Sequence, residues 1–139
     1  MSQENVELVR DSLTAWIEVD EGRADPQRLA KFYAPDTTLV MGTYSGWPGK
    51  REVGLDEFLE FRTGWMEPYD EWHYEAERIL DAGENGVVVL FRQRGKLRDS
   101  GSWVEQNYGI VYTVEEGLIT RGRIYASAEE ALEAPGLRE

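Results

Sequence analysis

The sequence predicts an α+β domain in which N-terminal helices cover an antiparallel sheet. Three β-rich runs joined by two tight turns predict a meander between Gly86 and Tyr125. Before this meander, apolar residues recur at helical spacing near 6–17 and 55–66. Helices that are segregated along the chain from an antiparallel sheet are typical of the α+β class. We therefore expect the helices to cover one face of the sheet.

The composition restricts the functions that are open to the chain. Its 139 residues suit a single domain over 1–139, and its net charge of −12 disfavours nucleic acids and anionic membranes as partners. With no cysteine and one histidine, His73, we expect neither a metal site nor a cofactor. Because the sequence has no apolar run of about 20 residues that could span a membrane and no signal-like start, we predict a cytoplasmic location.

Three helices are predicted before the meander. The first carries an apolar stripe made of Val6, Val9, Leu13, Trp16 and Ile17. A short second helix begins at Asp25-Pro26, where Asp caps and Pro fits the first turn, and buries Leu29, Phe32 and Tyr33. The third begins near Leu55, and one face of it carries Phe58, Leu59, Arg62, Trp65 and Met66.

The remaining segments carry strand, turn and cap signals. A short strand over 37–41 leads into a glycine-rich loop around Trp47, which is either a lid over a pocket or an ordinary surface loop. A strand over 72–80 changes its alternation near Glu77-Arg78, which predicts a bulge. Asn85-Gly86 predicts a hairpin turn, and the run 127–130, Ser-Ala-Glu-Glu, predicts a capping box that opens a final helix. His73 beside two aromatic residues is interpreted as structural.

Two-residue turns centred on Ser100-Gly101 and Glu116-Gly117 define the predicted strand faces. The first turn places Lys96 opposite Glu105, and the second places Gly109 opposite Ile124. One predicted face then carries Val88, Leu90, Arg92, Arg94, Glu105, Asn107, Gly109, Val111, Gly122, Ile124 and Ala126. The other carries Val89, Phe91, Gln93, Tyr108, Ile110, Tyr112, Arg123 and Tyr125.

The face with the two arginines is assigned to the side beneath the helices. Arg92 and Arg94 form either a solvated pair with Glu105 at the rim, or the polar wall of a cavity for an anionic or carbonyl-bearing small molecule. On the second reading, Glu105 is the candidate acid/base. The predicted ligand-binding residues are Trp16, Tyr33, Met41, Trp65, Arg92, Arg94, Asn107 and Ile124.

The tyrosine-rich face is assigned to the outside of the molecule. An apolar patch of that size calls for a partner, and packing of sheet on sheet in a homodimer supplies one. The predicted interface consists of Phe91, Tyr108, Ile110, Tyr112 and Tyr125.

Several motifs resemble the SnoaL-like branch of the nuclear transport factor 2-like (NTF2-like) superfamily. They are ENVELVR at the start, LDAGENGVVVLFRQRG in the meander, and GLITRGRIYASAEEALEAPGL at the end. The resemblance covers nearly the whole chain. It implies a cone-shaped curved sheet of the NTF2-like or cystatin-like kind, a cavity between sheet and helices, and often a dimer through the sheet.

The catalytic residues of superfamily enzymes are mostly not matched. Where cyclases and epoxide hydrolases carry an aspartate on the last strand, this chain has Ile124. Arg92 matches the epoxide hydrolase arginine, but Arg94 occupies the position of its aspartate partner. Ketosteroid isomerases carry a base and an acid at the positions of Met41 and Gly109 and a tyrosine at a position near Ser12. None of these three groups is present in this chain.

Two hypotheses remain open. The first, favoured by the unmatched aspartates, is a domain that binds a small molecule without catalysis. The alternative is a cofactor-free isomerase, cyclase or hydrolase acting on a hydrophobic small molecule. In that enzyme Glu105 would move the proton, the two arginines would polarise an oxygen, and Asn107 would orient the substrate.

Overall fold

The computed structural model describes residues 2–41, 52–83 and 85–134, with backbone alone for 2, 61 and 63–65. The helices are α1 (Ser2–Asp20), α2 (Leu55–Met66) and α3 (Ala128–Glu133), and a short 3-10 helix spans Pro26–Lys31. The strands are β1 (Tyr33–Val40), β2 (Glu52–Gly54), β3 (Tyr69–Asp81), β4 (Gly86–Leu97), β5 (Trp103–Glu115) and β6 (Leu118–Tyr125). Within the described ranges, no helix is long and apolar enough to cross a membrane.

The six strands form one sheet in the order β2-β1-β6-β5-β4-β3. All neighbours are antiparallel except β1 and β6, which run parallel. The predicted meander is the β4-β5-β6 half of this sheet. The α+β class is therefore confirmed, and the sheet also contains one parallel pair, which places the first strand, β1, beside the last strand, β6.

The main core lies between the sheet and the two long helices. The apolar stripe of α1, including Val9, Leu13 and Trp16, packs against buried residues of β4, β5 and β6, and Phe58 of α2 packs against the same cluster. We call the sheet surface beneath α1 and α2 the helix-side face, and the opposite surface the outer face. Helix α3 covers part of the outer face, where Ala131 packs with Val88 and Leu90.

The local signals in the sequence match the structure closely. Asp25 accepts a hydrogen bond of 2.8 Å from the Gln27 N–H, and Ser127 accepts one of 3.2 Å from the Glu130 N–H. Both helix caps are therefore confirmed. The register of β3 shifts between Ala76 and Arg78, which confirms the predicted bulge. Tyr33, predicted at the end of the second helix, instead begins β1, because the short helix ends at Lys31.

The predicted register between β4 and β5 is wrong by two residues. The Leu97 N–H bonds to the Ser102 carbonyl at 2.8 Å, so the turn spans four residues rather than two. Arg94 consequently lies opposite Glu105, where Lys96 was predicted. Because successive residues alternate between faces, an even shift leaves the two sets of residues on β4 and β5 unchanged.

A bulge in β6 reverses the predicted face of the last strand. Glu116 and Gly117, at φ 52° and 78°, form the predicted two-residue turn, and Val114 pairs with Ile119. The ladder then passes over Thr120, whose hydroxyl bonds to the Thr113 carbonyl at 3.3 Å. One extra residue moves every later side chain to the opposite face. Ile124 therefore lies opposite Ile110 rather than Gly109.

The assignment of the two faces is also wrong. The β4 and β5 residues of the set that contains Phe91 and Tyr112 are uncharged and lie beneath α1 and α2, and the side chains of Phe91 and Tyr112 are buried. Arg92 and Arg94 lie exposed on the outer face. Desolvation explains which face lies beneath the helices, because removing guanidinium groups from water is far costlier than burying phenyl and phenol rings.

Candidate functional site

A small internal space lies between the helix-side face and the two long helices. Its volume is about 70 Å³. Every strand of the sheet except β2 contributes to its wall, as do both long helices. The lining side chains are Leu13, Trp16, Tyr33, Leu39, Phe58, Arg62, Tyr74, Phe91, Ile110, Tyr112 and Ile124. We call this space the interior cavity.

Trp16 and Tyr33 form one wall of the interior cavity. The Trp16 indole N–H donates a hydrogen bond of 2.8 Å to the Tyr33 hydroxyl oxygen, and both side chains are buried. Phe58 packs edge-on against the Trp16 ring, with 5.9 Å between ring centroids. Burial raises the pKa of Tyr33 to about 12, because the charged phenolate would be poorly solvated there. Tyr33 is therefore a neutral phenol at any physiological pH.

A network centred on Asp20 closes another side of the cavity. Arg62 donates two hydrogen bonds to the Asp20 carboxylate, of 2.5 and 2.7 Å, and the Tyr74 hydroxyl donates a third of 2.7 Å. The Arg62 guanidinium also lies over the rings of Trp16 and Tyr74, at 4.8 and 5.8 Å from their centroids. Burial and the Asp20 charge raise the pKa of Tyr74. The network joins the end of α1 to α2 and β3.

Tyr112 presents the most available polar group of the cavity wall. Its side chain is 4% exposed, and its hydroxyl has no hydrogen-bond partner among the described residues. Burial raises its pKa well above the usual value, and the neighbouring phenols of Tyr33, Tyr108 and Tyr74 add to that shift. The phenol O–H can donate to a ligand oxygen in the cavity, and a neutral hydrogen bond of this kind contributes about 0.5–1.5 kcal/mol net.

The described wall carries hydrogen-bond donors and apolar surface. Its polar members are three phenols, one indole N–H and the Arg62 guanidinium, and none of the described lining residues is a carboxylate or a histidine. The adjacent carboxylate, Asp20, is already engaged by two partners. Across the described ranges, no group of three or more His, Cys, Asp or Glu side chains could hold a metal ion. The wall is suited to hold an oxygen-bearing molecule.

Three of the predicted ligand-binding residues line the interior cavity: Trp16, Tyr33 and Ile124. Met41 is buried beside Ile124 and forms part of the packing behind the wall. The Trp65 side chain lies outside the described residues. The loop around Trp47, interpreted as a lid or a surface loop, lies outside them too.

The other predicted site residues do not lie in the cavity. Arg92, Arg94, Glu105 and Asn107 are exposed on the outer face, so the predicted polar wall beneath the helices is wrong. Glu105 accepts a hydrogen bond of 3.2 Å from Arg92, with half of its side chain exposed. This is the solvated pair of the first reading, and a carboxylate placed there cannot reach a ligand in the interior cavity.

The predicted dimer surface is corrected by the same reversal. Phe91, Tyr108, Ile110 and Tyr112 belong to the helix-side face and pack in the interior, so they are unavailable to a second copy. Tyr125 does lie on the outer face, where it packs against the cluster beneath α3. The interface predicted from these five residues is therefore wrong, because four of them pack beneath the helices, where Phe91, Ile110 and Tyr112 line the interior cavity.

Sequence reasoning missed three polar groups of the cavity, those of Arg62, Tyr74 and Tyr112. A signal existed for Arg62, since an arginine inside an otherwise apolar helical stripe must find a partner or a ligand. A signal also existed for Tyr112, which alternates with Ile110 and Tyr108 along one strand face. That face was assigned to an interface because both faces of the meander are partly apolar.

A family model described as SnoaL-like domain matches residues 9–122. No curated protein matches the chain. Among solved structures, AclR, a proposed hydroxylase from Streptomyces galilaeus, is 15% identical, with a TM-score of 0.66 over 100% of this chain and 88% of its own.

Two further solved structures share the fold. An NTF2-like protein of unknown function from Burkholderia pseudomallei K96243 is 18% identical, with a TM-score of 0.70 over 96% of this chain and 98% of its own. A hypothetical protein with a ketosteroid isomerase-like fold from Catenulispora acidiphila DSM 44928, in complex with trimethylamine, is 19% identical, with a TM-score of 0.62 over 91% and 92%. At such identities these structures show the fold alone.

Proposed function

Since the chain belongs to the SnoaL-like domain family, we propose that it binds a small, largely apolar molecule with an oxygen acceptor in its interior cavity. The Tyr112 hydroxyl carries this proposal. It is a buried donor in a wall that is otherwise apolar or already paired. Ligand sites of small molecules combine such apolar walls with a few well-placed polar groups.

The size of the cavity restricts the ligand. At about 70 Å³, the space is well below the roughly 300–1,000 Å³ of a pocket for a drug-sized molecule. A single ring needs roughly twice this space, since a cavity of about 150 Å³ holds benzene. Binding of even one small ring therefore requires side chains of the wall, such as Phe58 or Arg62, to move outward, and a polycyclic skeleton would require a larger movement.

The charge of the ligand is restricted by the groups around Tyr112. The Arg62 guanidinium already has its counter-charge in Asp20. A neutral acceptor such as a ketone or ester therefore fits the wall better than a carboxylate, which would have to compete with Asp20. Tyr112 would donate to the ligand oxygen while the surrounding apolar side chains cover its ring.

Cyclohexanone and its hydrocarbon analogue methylcyclohexane provide the test. Binding would be followed by the chemical shifts of cavity residues. We expect cyclohexanone to bind more tightly, and Tyr112→Phe to weaken its binding by up to about tenfold, as a lost neutral hydrogen bond predicts. The same variant should leave methylcyclohexane unaffected. Tyr125→Phe, the matched control on the outer face, should change neither. Equal binding of ketone by the wild type and Tyr112→Phe would contradict the proposal.

The alternative, a cofactor-free isomerase, cyclase or hydrolase, is separated from simple binding by the fate of the ligand. The residue predicted for acid/base chemistry, Glu105, lies on the outer face, where it cannot reach a ligand in the interior cavity. We therefore propose binding without turnover. Recovery of a bound ketone or ester unchanged after long incubation supports binding without turnover, and steady conversion would favour the enzyme.

A homodimer, a single domain over 1–139 and a cytoplasmic location stay predictions.

A further inference from the structure

A second concave site lies on the outer face, away from α3. Its volume is about 310 Å³, which exceeds that of the interior cavity. Its lining residues are His73, Tyr74 and Glu75 of β3 and Arg92 and Arg94 of β4. The strand register explains the cluster, since His73 pairs with Arg94 and Glu75 with Arg92. We call this depression the outer site.

Arg94 is the cation of the outer site that is available to a ligand. No carboxylate lies within ion-pair distance of its guanidinium among the described residues, whereas Arg92 lies 3.2 Å from Glu105. This is notable in a chain with 27 acidic and 15 basic side chains. A guanidinium presents a planar set of donors that matches a carboxylate through two parallel hydrogen bonds. Arg94 therefore offers an unoccupied binding group for an oxyanion.

Trp103 of β5 lies beside the lining residues of the outer site and contacts the Arg94 side chain. The guanidinium carbon lies 5.0 Å from the indole centroid, within the range of a cation–π contact. The His73 ring stacks beside the same indole, with 6.3 Å between centroids and 23° between planes. Trp103 is nevertheless 50% exposed. The indole thus orients the cation and still presents apolar aromatic surface to a ligand.

We propose that the outer site binds a small aromatic carboxylate. Arg94 receives the carboxylate, and Trp103 provides the surface against which the aromatic ring packs. Three nearby carboxylates, Glu71, Glu75 and Glu105, and the net charge of −12 repel multiply charged anions more strongly than a monoanion. A planar monoanion therefore suits the site better than phosphate or a polyphosphate.

Benzoate, acetate and inorganic phosphate are the probes, titrated into the full chain and followed by backbone amide shifts. We expect benzoate to saturate at roughly millimolar concentration, as a ligand of so few atoms allows, with shifts in β3, β4 and β5 around the outer site. Acetate lacks the ring, so it should bind several-fold more weakly. Phosphate should bind more weakly than benzoate because of the neighbouring carboxylates.

Matched variants assign the roles. Arg94→Gln should weaken benzoate about tenfold or more, since a charge-assisted bidentate contact is lost. Trp103→Leu should reduce benzoate binding to the level of acetate. Arg121→Gln removes the same charge from an exposed position on β6 and should leave benzoate unaffected. Tyr112→Phe should also leave it unaffected, which separates this proposal from that for the interior cavity.

Several results would overturn the proposal. They are equal effects of Arg94→Gln and Arg121→Gln, tighter binding of phosphate than of benzoate, benzoate shifts confined to the interior cavity, and no saturable shift at all. Sedimentation tests whether a second copy of the chain covers the outer site. If the protein is a dimer that Trp103→Ser converts to a monomer, a second copy covers this surface, and the ligand site is refuted.

Discussion

Replacing Asp20 with Asn should loosen the junction of α1, α2 and β3. The Asp20 carboxylate accepts two hydrogen bonds from Arg62 of α2 and one from Tyr74 of β3. The Arg62 and Asp20 side chains are only 13% and 15% exposed. The variant keeps the shape of the side chain and removes its charge, so the Arg62 guanidinium loses its counter-charge in a poorly solvated place.

The expected loss of stability lies between two limits. Breaking a fully buried ion pair costs about 3–5 kcal/mol, and an exposed pair contributes about 0–1 kcal/mol. The remaining exposure and the hydrogen bond that Asn can still accept place Asp20→Asn near 2 kcal/mol. The negative charge at the end of α1 opposes the helix dipole, and its removal returns roughly 0.5 kcal/mol. We therefore expect a net loss of about 1.5 kcal/mol, or about 5 °C in Tm.

Urea denaturation of four proteins measures this contribution: the wild type, Asp20→Asn, Arg62→Met and the double variant. The double-mutant cycle should give a coupling energy of about 1 kcal/mol or more, because the two groups contact each other directly. Glu21→Gln is the control, since its pair with Arg23 is more than half exposed on both sides, and it should change stability by less than about 0.5 kcal/mol. A coupling energy near zero would refute the reasoning that this network fastens the three elements.

Two further predictions concern the outer face and the buried phenols. Gly109→Ala should destabilise the fold by about 1–3 kcal/mol in urea denaturation, because an added Cβ would overlap the Cβ of Ala131 and push α3 from the sheet; a loss below about 0.3 kcal/mol would contradict this close approach. Alkaline pH should also unfold the protein. Burial raises the pKa of Tyr33 from 10.0 to about 12 and raises those of Tyr74 and Tyr112, so their contribution is complete below pH 10 and is lost as the pH rises through the folded-state values. Phenolate absorbance should therefore rise cooperatively with unfolding above pH 10, and early titration of these three phenols in the folded protein would argue against their burial.

Local features were readable because their causes lie within a few residues. The Asp25 and Ser127 caps depend on one side chain and the next turn of backbone, and the turn at Glu116-Gly117 depends on two residues at positive φ. The Ala76–Arg78 bulge was visible as a break in alternation. The bulge at Thr120 gave no such break, and this one residue moved Ile124 to the face opposite to the predicted one.

The choice of face needed information from outside the meander. Alternation separates Arg94 from Phe91 and Tyr112 without saying which set meets the long helices. Both sets contain apolar residues, because α3 packs on Val88 and Leu90 of the outer face while α1 packs on the other. An amphipathic pattern identifies a helix-covered face only when a single face is covered.

The α+β class, the helix caps and the three strands of the meander could be predicted from spacing and turn chemistry, and the family from the resemblance of a few motifs. The positions of the tyrosines in the wall of the interior cavity and of the two arginines on the outer face became clear from the folded arrangement. The packing of helices on the sheet explains this arrangement, because two long helices can cover the sheet closely where its side chains are phenyl, phenol and aliphatic groups. The guanidinium groups keep their hydration on the opposite surface.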